Sequence, residues 1–146
     1  MKVYLDMCSL QRPLDTKTQL RVVMEAEAIL SILALCESGY AELLASDALV
    51  FETAQNTHPV RKQYAFGILA MATQFVFTDS RVETRARAFH AIVIKPLDAL
   101  HLASAVEAQA DYLCTCDDRF LRRAKATDTR PTQVVSPLEL VAEITR

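Results

Sequence analysis

Four acids carry most of the chemistry this chain could perform. Asp6 ends the apolar run Val3-Tyr4-Leu5, and Asp117 follows the β-type segment Tyr112 to Thr115. Asp98 enters the first turn of a helix directly after Lys95-Pro96-Leu97, and Glu52 stands beside Phe51 on a stretch otherwise uncharged from Ala48 to His58. Taken singly, Asp98 and Asp117 read as helix caps, because a carboxylate is stabilised by the free N–H groups of a helix start. Glu52 reads equally well as a solvated helix residue. Asp6 is different, since no helix is expected directly behind it. Were the strands to bring these acids together, they would repel unless protonated or neutralised, and a hard divalent cation is the usual partner for clustered oxygen ligands. Mg²⁺ or Mn²⁺ held there neutralises a phosphodiester and activates water, which is metal-assisted phosphoryl hydrolysis.

The elements that must position these acids follow from periodicity and punctuation. Lys2 to Leu5 predicts a buried first strand. Thr16-Lys17-Thr18-Gln19 has capping-box spacing, and Leu20, Val23, Met24, Ala28, Ile29, Ile32, Leu33 and Cys36 recur at helical intervals up to Gly39. Tyr40 to Ala45 predicts a strand, with Ser46 capping a helix towards Asn56. Pro59 opens another helix through Met71, before the β-rich Phe75-Val76-Phe77. Ser80-Arg81-Val82-Glu83 predicts a capped helix to about Ala91, and Pro96 opens one that reaches Gln109. Tyr112 to Thr115 is a strand, Asp117 starts a basic helix, Val134-Val135 is a last strand, and Ser136-Pro137-Leu138-Glu139 begins a terminal helix. Alternating strands and helices predict an α/β fold, a mainly parallel central sheet between helical layers. In such folds the functional crevice lies beyond the carboxyl ends of the strands, where Asp6 and Asp117 fall.

Composition narrows the function classes. The 146 residues are 51% hydrophobic and 23% charged, with two Gly, which predicts one domain over 1–146 and excludes disordered and collagen-like chains. Sixteen Lys and Arg against eighteen Asp and Glu leave a net charge of −2, so polyanion binding must come from a local patch or from bound metal. Arg119, Arg122 and Arg123, with Lys125, supply such a patch on one helix. The longest uncharged run, Tyr64 to Thr78, falls short of the ~20 residues of a membrane span, and Asp6 interrupts any leader-like apolar region, so a cytoplasmic location is expected. Cys8, Cys36, Cys114 and Cys116 lack zinc-knuckle spacing and read as reduced core thiols. His58, His90 and His101 have no zinc-ligand spacing, and His101 is expected to be a satisfied helix histidine. Ser9 has no partnered histidine nearby in sequence, which excludes an argument for a nucleophilic triad.

Val3-Tyr4-Leu5-Asp6, the run Lys95-Pro96-Leu97-Asp98-Ala99-Leu100-His101-Leu102-Ala103-Ser104-Ala105 and the run Asp111 to Phe120 together resemble the PIN-domain nucleases, a family that includes the VapC toxins of bacterial toxin–antitoxin pairs. The likeness extends to the closing segment Val134 to Glu139. It implies a PIN-like three-layer α/β/α fold, Asp6, Glu52, Asp98 and Asp117 as catalytic acids ligating Mg²⁺ or Mn²⁺, and Thr115 in support. It also implies single-stranded RNA as substrate, with Arg119, Arg122 and Arg123 in reach of it, an antitoxin partner, and a homodimer. The apolar content of the helices between Ala48 and Ala72 agrees with a dimer. Cys8 departs from the pattern, since such domains often carry Asn or Ser there, and Ser9 one place later is the expected substitute support. Competing readings are a catalytically weak PIN-like binding module and a Mg²⁺-binding receiver domain. The receiver would need a Lys after the last strand, where Val134-Val135-Ser136-Pro137 has none, and a haloacid-dehalogenase-type phosphatase would need Asp in place of Cys8.

Overall fold

The structure, a computed structural model, describes residues 1–145. Five strands form one wholly parallel sheet in the order β3-β2-β1-β4-β5: β1 (Lys2–Leu5), β2 (Glu42–Ser46), β3 (Gln74–Val76), β4 (Tyr112–Cys114) and β5 (Gln133–Val135). Helices α1 (Met7–Gln11), α2 (Leu20–Glu37), α3 (Asp47–Gln55), α4 (Pro59–Leu69), α5 (Ser80–Ala91), α6 (Pro96–Glu107), α7 (Asp118–Lys125) and α8 (Pro137–Ile144) flank it in a three-layer α/β/α arrangement. The central strand is covered on both faces, so Val3, Tyr4 and Leu5 are all fully buried and the run reads as continuously apolar instead of alternating. Around it Ile29 and Ile32 of α2, Leu43 and Leu44 of β2, Leu102 and Ala103 of α6, and Leu113 of β4 join one core. No helix among the described residues is long and apolar enough to cross a membrane.

Strand order decides where the site lies. From β1 the chain steps outward to β2 and then β3; α5 and α6 then carry it back across the sheet to β4. The direction of winding reverses between β1 and β4, which pair as Val3 with Tyr112 and Leu5 with Cys114. A parallel sheet opens a crevice at that reversal, beyond the carboxyl ends of the two strands. Asp6 and Asp117 are the residues that leave those ends.

Several boundaries differ from those expected. The long helix starts at Leu20 with Gln19 in the capping position and no side-chain cap, so Thr16 plays no capping role. Asp79 caps α5 by accepting from Val82 N, which moves Ser80 to the first helical position. A charged carboxylate one residue upstream takes the capping position that the sequence spacing assigns to Ser80. The largest correction is α1: a five-residue helix follows Asp6 directly, too short to show any periodicity in the sequence.

The end of α2 follows from Gly39, whose φ of +82° lies in the left-handed region. Tyr40 N donates to Leu35 O and Gly39 N to Cys36 O, which satisfies the last carbonyls and turns the chain into β2. A Cβ at Gly39 would meet nothing within 4 Å, so only backbone strain opposes one. We expect Gly39→Ala to cost about 1 kcal/mol in urea denaturation, whereas an unchanged midpoint would contradict the strain assigned to this position.

Candidate active site

Asp6 is positioned by the abrupt end of β1. It is 3% exposed, and its Oδ1 accepts from Ser9 N at 3.1 Å and from the Cys8 thiol at 3.1 Å, so it caps α1. Burial raises its pKa, and hydrogen bonds from the Thr115 hydroxyl and the Cys8 thiol oppose that rise. Cys8 thus does what a polar residue was expected to do. The Ser9 hydroxyl does not reach Asp6, because it donates to Cys114 O at 3.0 Å; only its backbone amide supports the acid. The Cys8 thiol is itself pushed up, first by its hydrogen bond with Cys116 and then by burial and the Asp6 charge, which keeps it a donor.

Asp117 leaves β4 and caps α7, its Oδ1 accepting from Arg119 N at 2.9 Å and Phe120 N at 3.1 Å. Thr115 is fully buried, and its Oγ1 accepts from Asp117 N at 3.1 Å, which fixes the turn between strand and helix. Capping uses only one carboxylate oxygen, so the cap and a second task are compatible. The neighbouring Asp118 is exposed but not free: Arg21 grips it with bonds of 2.7 and 2.8 Å and lowers its pKa. Asp98 sits in the first turn of α6, and Glu52 projects from α3. Asp6, Cys8, Glu52, Asp98, His101 and Asp117 line one cavity of about 160 Å³.

Burial and like charge together set the electrostatics of that cavity. Asp98 is pushed up to about 6, first by burial and then by the charge of Asp6, with Asp117 and Glu52 adding and His101 opposing. Among the described residues, neither Lys nor Arg pairs with Asp6, Asp98 or Asp117. Uncompensated carboxylate oxygens around a small cavity are the donor set a hard divalent cation requires. No three His, Cys, Asp or Glu groups among the described residues are already closed into a ready metal cluster, so an ion would have to draw the acids together.

One side of the cavity is basic. Lys95, Arg119 and Arg123 line a crevice that Asp98 and Asp117 also border, and they continue along a groove with His90, Val93 and Pro96. Arg123 donates to the carbonyl of Val93, whose φ of +71° is unusual for a β-branched residue and marks the turn between α5 and α6. Arg122 is exposed and lines neither space. Lys95 was not singled out from the sequence, although its position three residues before Asp98 was available as a signal.

A match to the PIN-domain family model covers residues 17–126, well over half of the chain. The chain belongs to the PIN-domain family. The matched span contains Glu52, Asp98 and Asp117 and leaves out Asp6, which the fold supplies. Among solved structures, this PIN domain is similar to VapBC2 from Rickettsia felis bound to a DNA fragment from their promoter. The TM-score is 0.60 at 11% identity, covering 93% of this chain and 98% of that one. No curated protein matches the sequence.

The raised pKa of Asp98 fixes the sign of a pH effect. An unfolded Asp ionises near ~3.9 and the folded one near about 6, so the protonated carboxyl stabilises the fold fully below the lower value, and that contribution is lost as pH rises through the higher. For metal-free PIN domain we expect a higher Tm around pH 5 than around pH 7.5, with the difference reduced in Asp98→Asn. Identical pH profiles for the two proteins would contradict the assignment.

Proposed function

We propose that this PIN domain is a ribonuclease that hydrolyses phosphodiester bonds of single-stranded RNA with Mg²⁺ or Mn²⁺, its 146 residues working as one cytoplasmic domain. The observation that carries the reading is the set of three carboxylates, Asp6, Asp98 and Asp117, that face one cavity without a cationic side chain to balance them. Asp6, Asp98 and Asp117, with Glu52, would hold the ion. When bound, it neutralises the phosphodiester and lowers the pKa of a water to make a nucleophile.

This chain's own residues supply the rest. Backbone amides hold Asp6 and Asp117 in single orientations, so the acids are placed before substrate arrives. Lys95, Arg119 and Arg123 offer charge to the phosphates flanking the scissile bond, and such contacts position a strand without reading its sequence. Arg122 stands outside this groove and contributes at most to the general field.

Family membership and the VapBC2 neighbour support a toxin role, in which an antitoxin protein holds the nuclease silent. Two alternatives lose their motive. Cys8, the reason to consider an inactive binding module, donates to Asp6 as a supporting residue. A receiver domain orders its strands 2-1-3-4-5, whereas this sheet runs β3-β2-β1-β4-β5.

Asp6→Asn, Asp98→Asn and Asp117→Asn should each abolish cleavage of an unstructured labelled RNA in Mn²⁺ while leaving the circular dichroism spectrum intact, and EDTA should silence the wild type. Asp118→Asn should keep most of the activity. Full cleavage in EDTA, or by any of the three core variants, would reject the mechanism. The homodimer is proposed on α3 and α4, where Val50, Phe51, Val60 and Phe66 are exposed. Light scattering should give twice the chain mass at micromolar concentration, and a constant monomer mass would contradict it.

A further inference from the structure

His101, expected to be a satisfied helix histidine, is 1% exposed and hydrogen-bonded at both ring nitrogens. Its Nδ1 lies 2.6 Å from the Tyr4 hydroxyl, and its Nε2 lies 2.7 Å from Glu52 Oε1. The Tyr4 hydroxyl in turn lies 2.6 Å from Ser46 Oγ, which accepts from Leu49 N at 3.1 Å. Tyr4 and Ser46 are completely buried. A polar chain therefore runs from the first turn of α3, through the central strand, to a carboxylate on the rim of the acidic cavity.

The direction of this chain is set at its two ends. Leu49 N–H can only donate, so Ser46 Oγ accepts there, and its own proton has Tyr4 as the one acceptor among its bonds. Tyr4 accepts from Ser46 and gives its proton to His101 Nδ1. Burial pushes the Tyr4 hydroxyl far up, which keeps it a donor. With Nδ1 occupied as an acceptor, the ring proton sits on Nε2 and is donated to the Glu52 carboxylate. Reversing the Ser46–Tyr4 or the Tyr4–His101 link leaves a buried hydroxyl proton without an acceptor in this chain.

We propose that His101 is a positioning residue for Glu52, and that the Leu49–Ser46–Tyr4 chain locks it in the Nε2-protonated tautomer that aims Glu52 into the acidic cavity. The proposal rests on the nuclease reading for its consequence, and not for its geometry. Without the donor, Glu52 is a partly exposed side chain with several rotamers. With it, one carboxylate oxygen is fixed and the other is left for the cavity.

The test has two arms, so that a failure of the nuclease reading is separable from a failure of this one. Long-range ¹H–¹⁵N spectra of the metal-free, histidine-labelled full chain should show His101 with an acceptor-type Nδ1 and a protonated Nε2. Tyr4→Phe, which keeps the ring volume, should move the ring towards a mixture of tautomers. An Nδ1-protonated ring, an averaged free-imidazole signal, or no response to Tyr4→Phe would overturn the proposal whether or not the protein cleaves RNA. In the kinetic arm, Tyr4→Phe and His101→Phe should lower kcat by about 10–100-fold with KM for RNA little changed, the scale seen when support behind a site residue is removed. His101→Gln, whose amide can still donate to Glu52, should recover part of that loss. Glu52→Gln should lose activity by itself and make the further loss from His101→Phe disappear. Additive losses from His101 and Glu52 would show that His101 acts elsewhere and overturn the positioning role.

Discussion

The mutual repulsion of carboxylates gathered at the carboxyl ends of β1 and β4 is the constraint on which this structure turns. Three acids from distant parts of the chain face one cavity, and Asp98 is pushed up to about 6, first by its burial and then by the charge of Asp6. A fold that merely needed stability would have placed a Lys or Arg there, or spread the acids out. This one does neither, and the proposed cation site rests on that.

The surroundings are arranged to hold the acids still while leaving their charge uncancelled. Asp6 and Asp117 each cap a helix, so backbone amides contribute fixed partial positive charge without the mobility of a cationic side chain. Two arginines, Arg12 and Arg21, are engaged elsewhere. Arg12 binds the buried Glu25 at 2.6 Å, and Arg21 spans Glu25 and Asp118 while also donating to Cys116 O. Buried ion pairs of this kind give little net stability. Here they tie α2 to the segment just after α1 and to the start of α7. The basic groove begins beyond Asp98, lined by Lys95, Arg119 and Arg123.

Much of this was legible in the residues, and what was not has physical reasons. Strand-end Asp6 and Asp117 and the Pro-led helix of Asp98 are local signals, and a parallel sheet turns them into neighbours. Strand order is not local: nothing in Gln74-Phe75-Val76 says that β3 lies at the edge, or that winding reverses beside β1. The five residues of α1 are too few for a hydrophobic period, so Asp6 did not read as a cap. At Cys8 the resembled pattern points to Asn or Ser, yet a thiol two residues after an acid can donate to it just as they would. The partners of His101 are not local signals, since they lie 97 and 49 residues away along the chain. One signal was available: a Tyr in the middle of a fully buried strand must find a hydrogen-bond partner, and the buried face of α6 carries a histidine.

The proposed chemistry turns on whether the acidic cavity holds a divalent cation. An anomalous difference map from crystals soaked in Mn²⁺ tests it directly. A single strong peak bordered by Asp6, Asp98 and Asp117, absent from Asp98→Asn crystals under the same soak, is the expected result. A cavity without density at saturating Mn²⁺, in crystals whose dissolved protein still cleaves RNA, would contradict it.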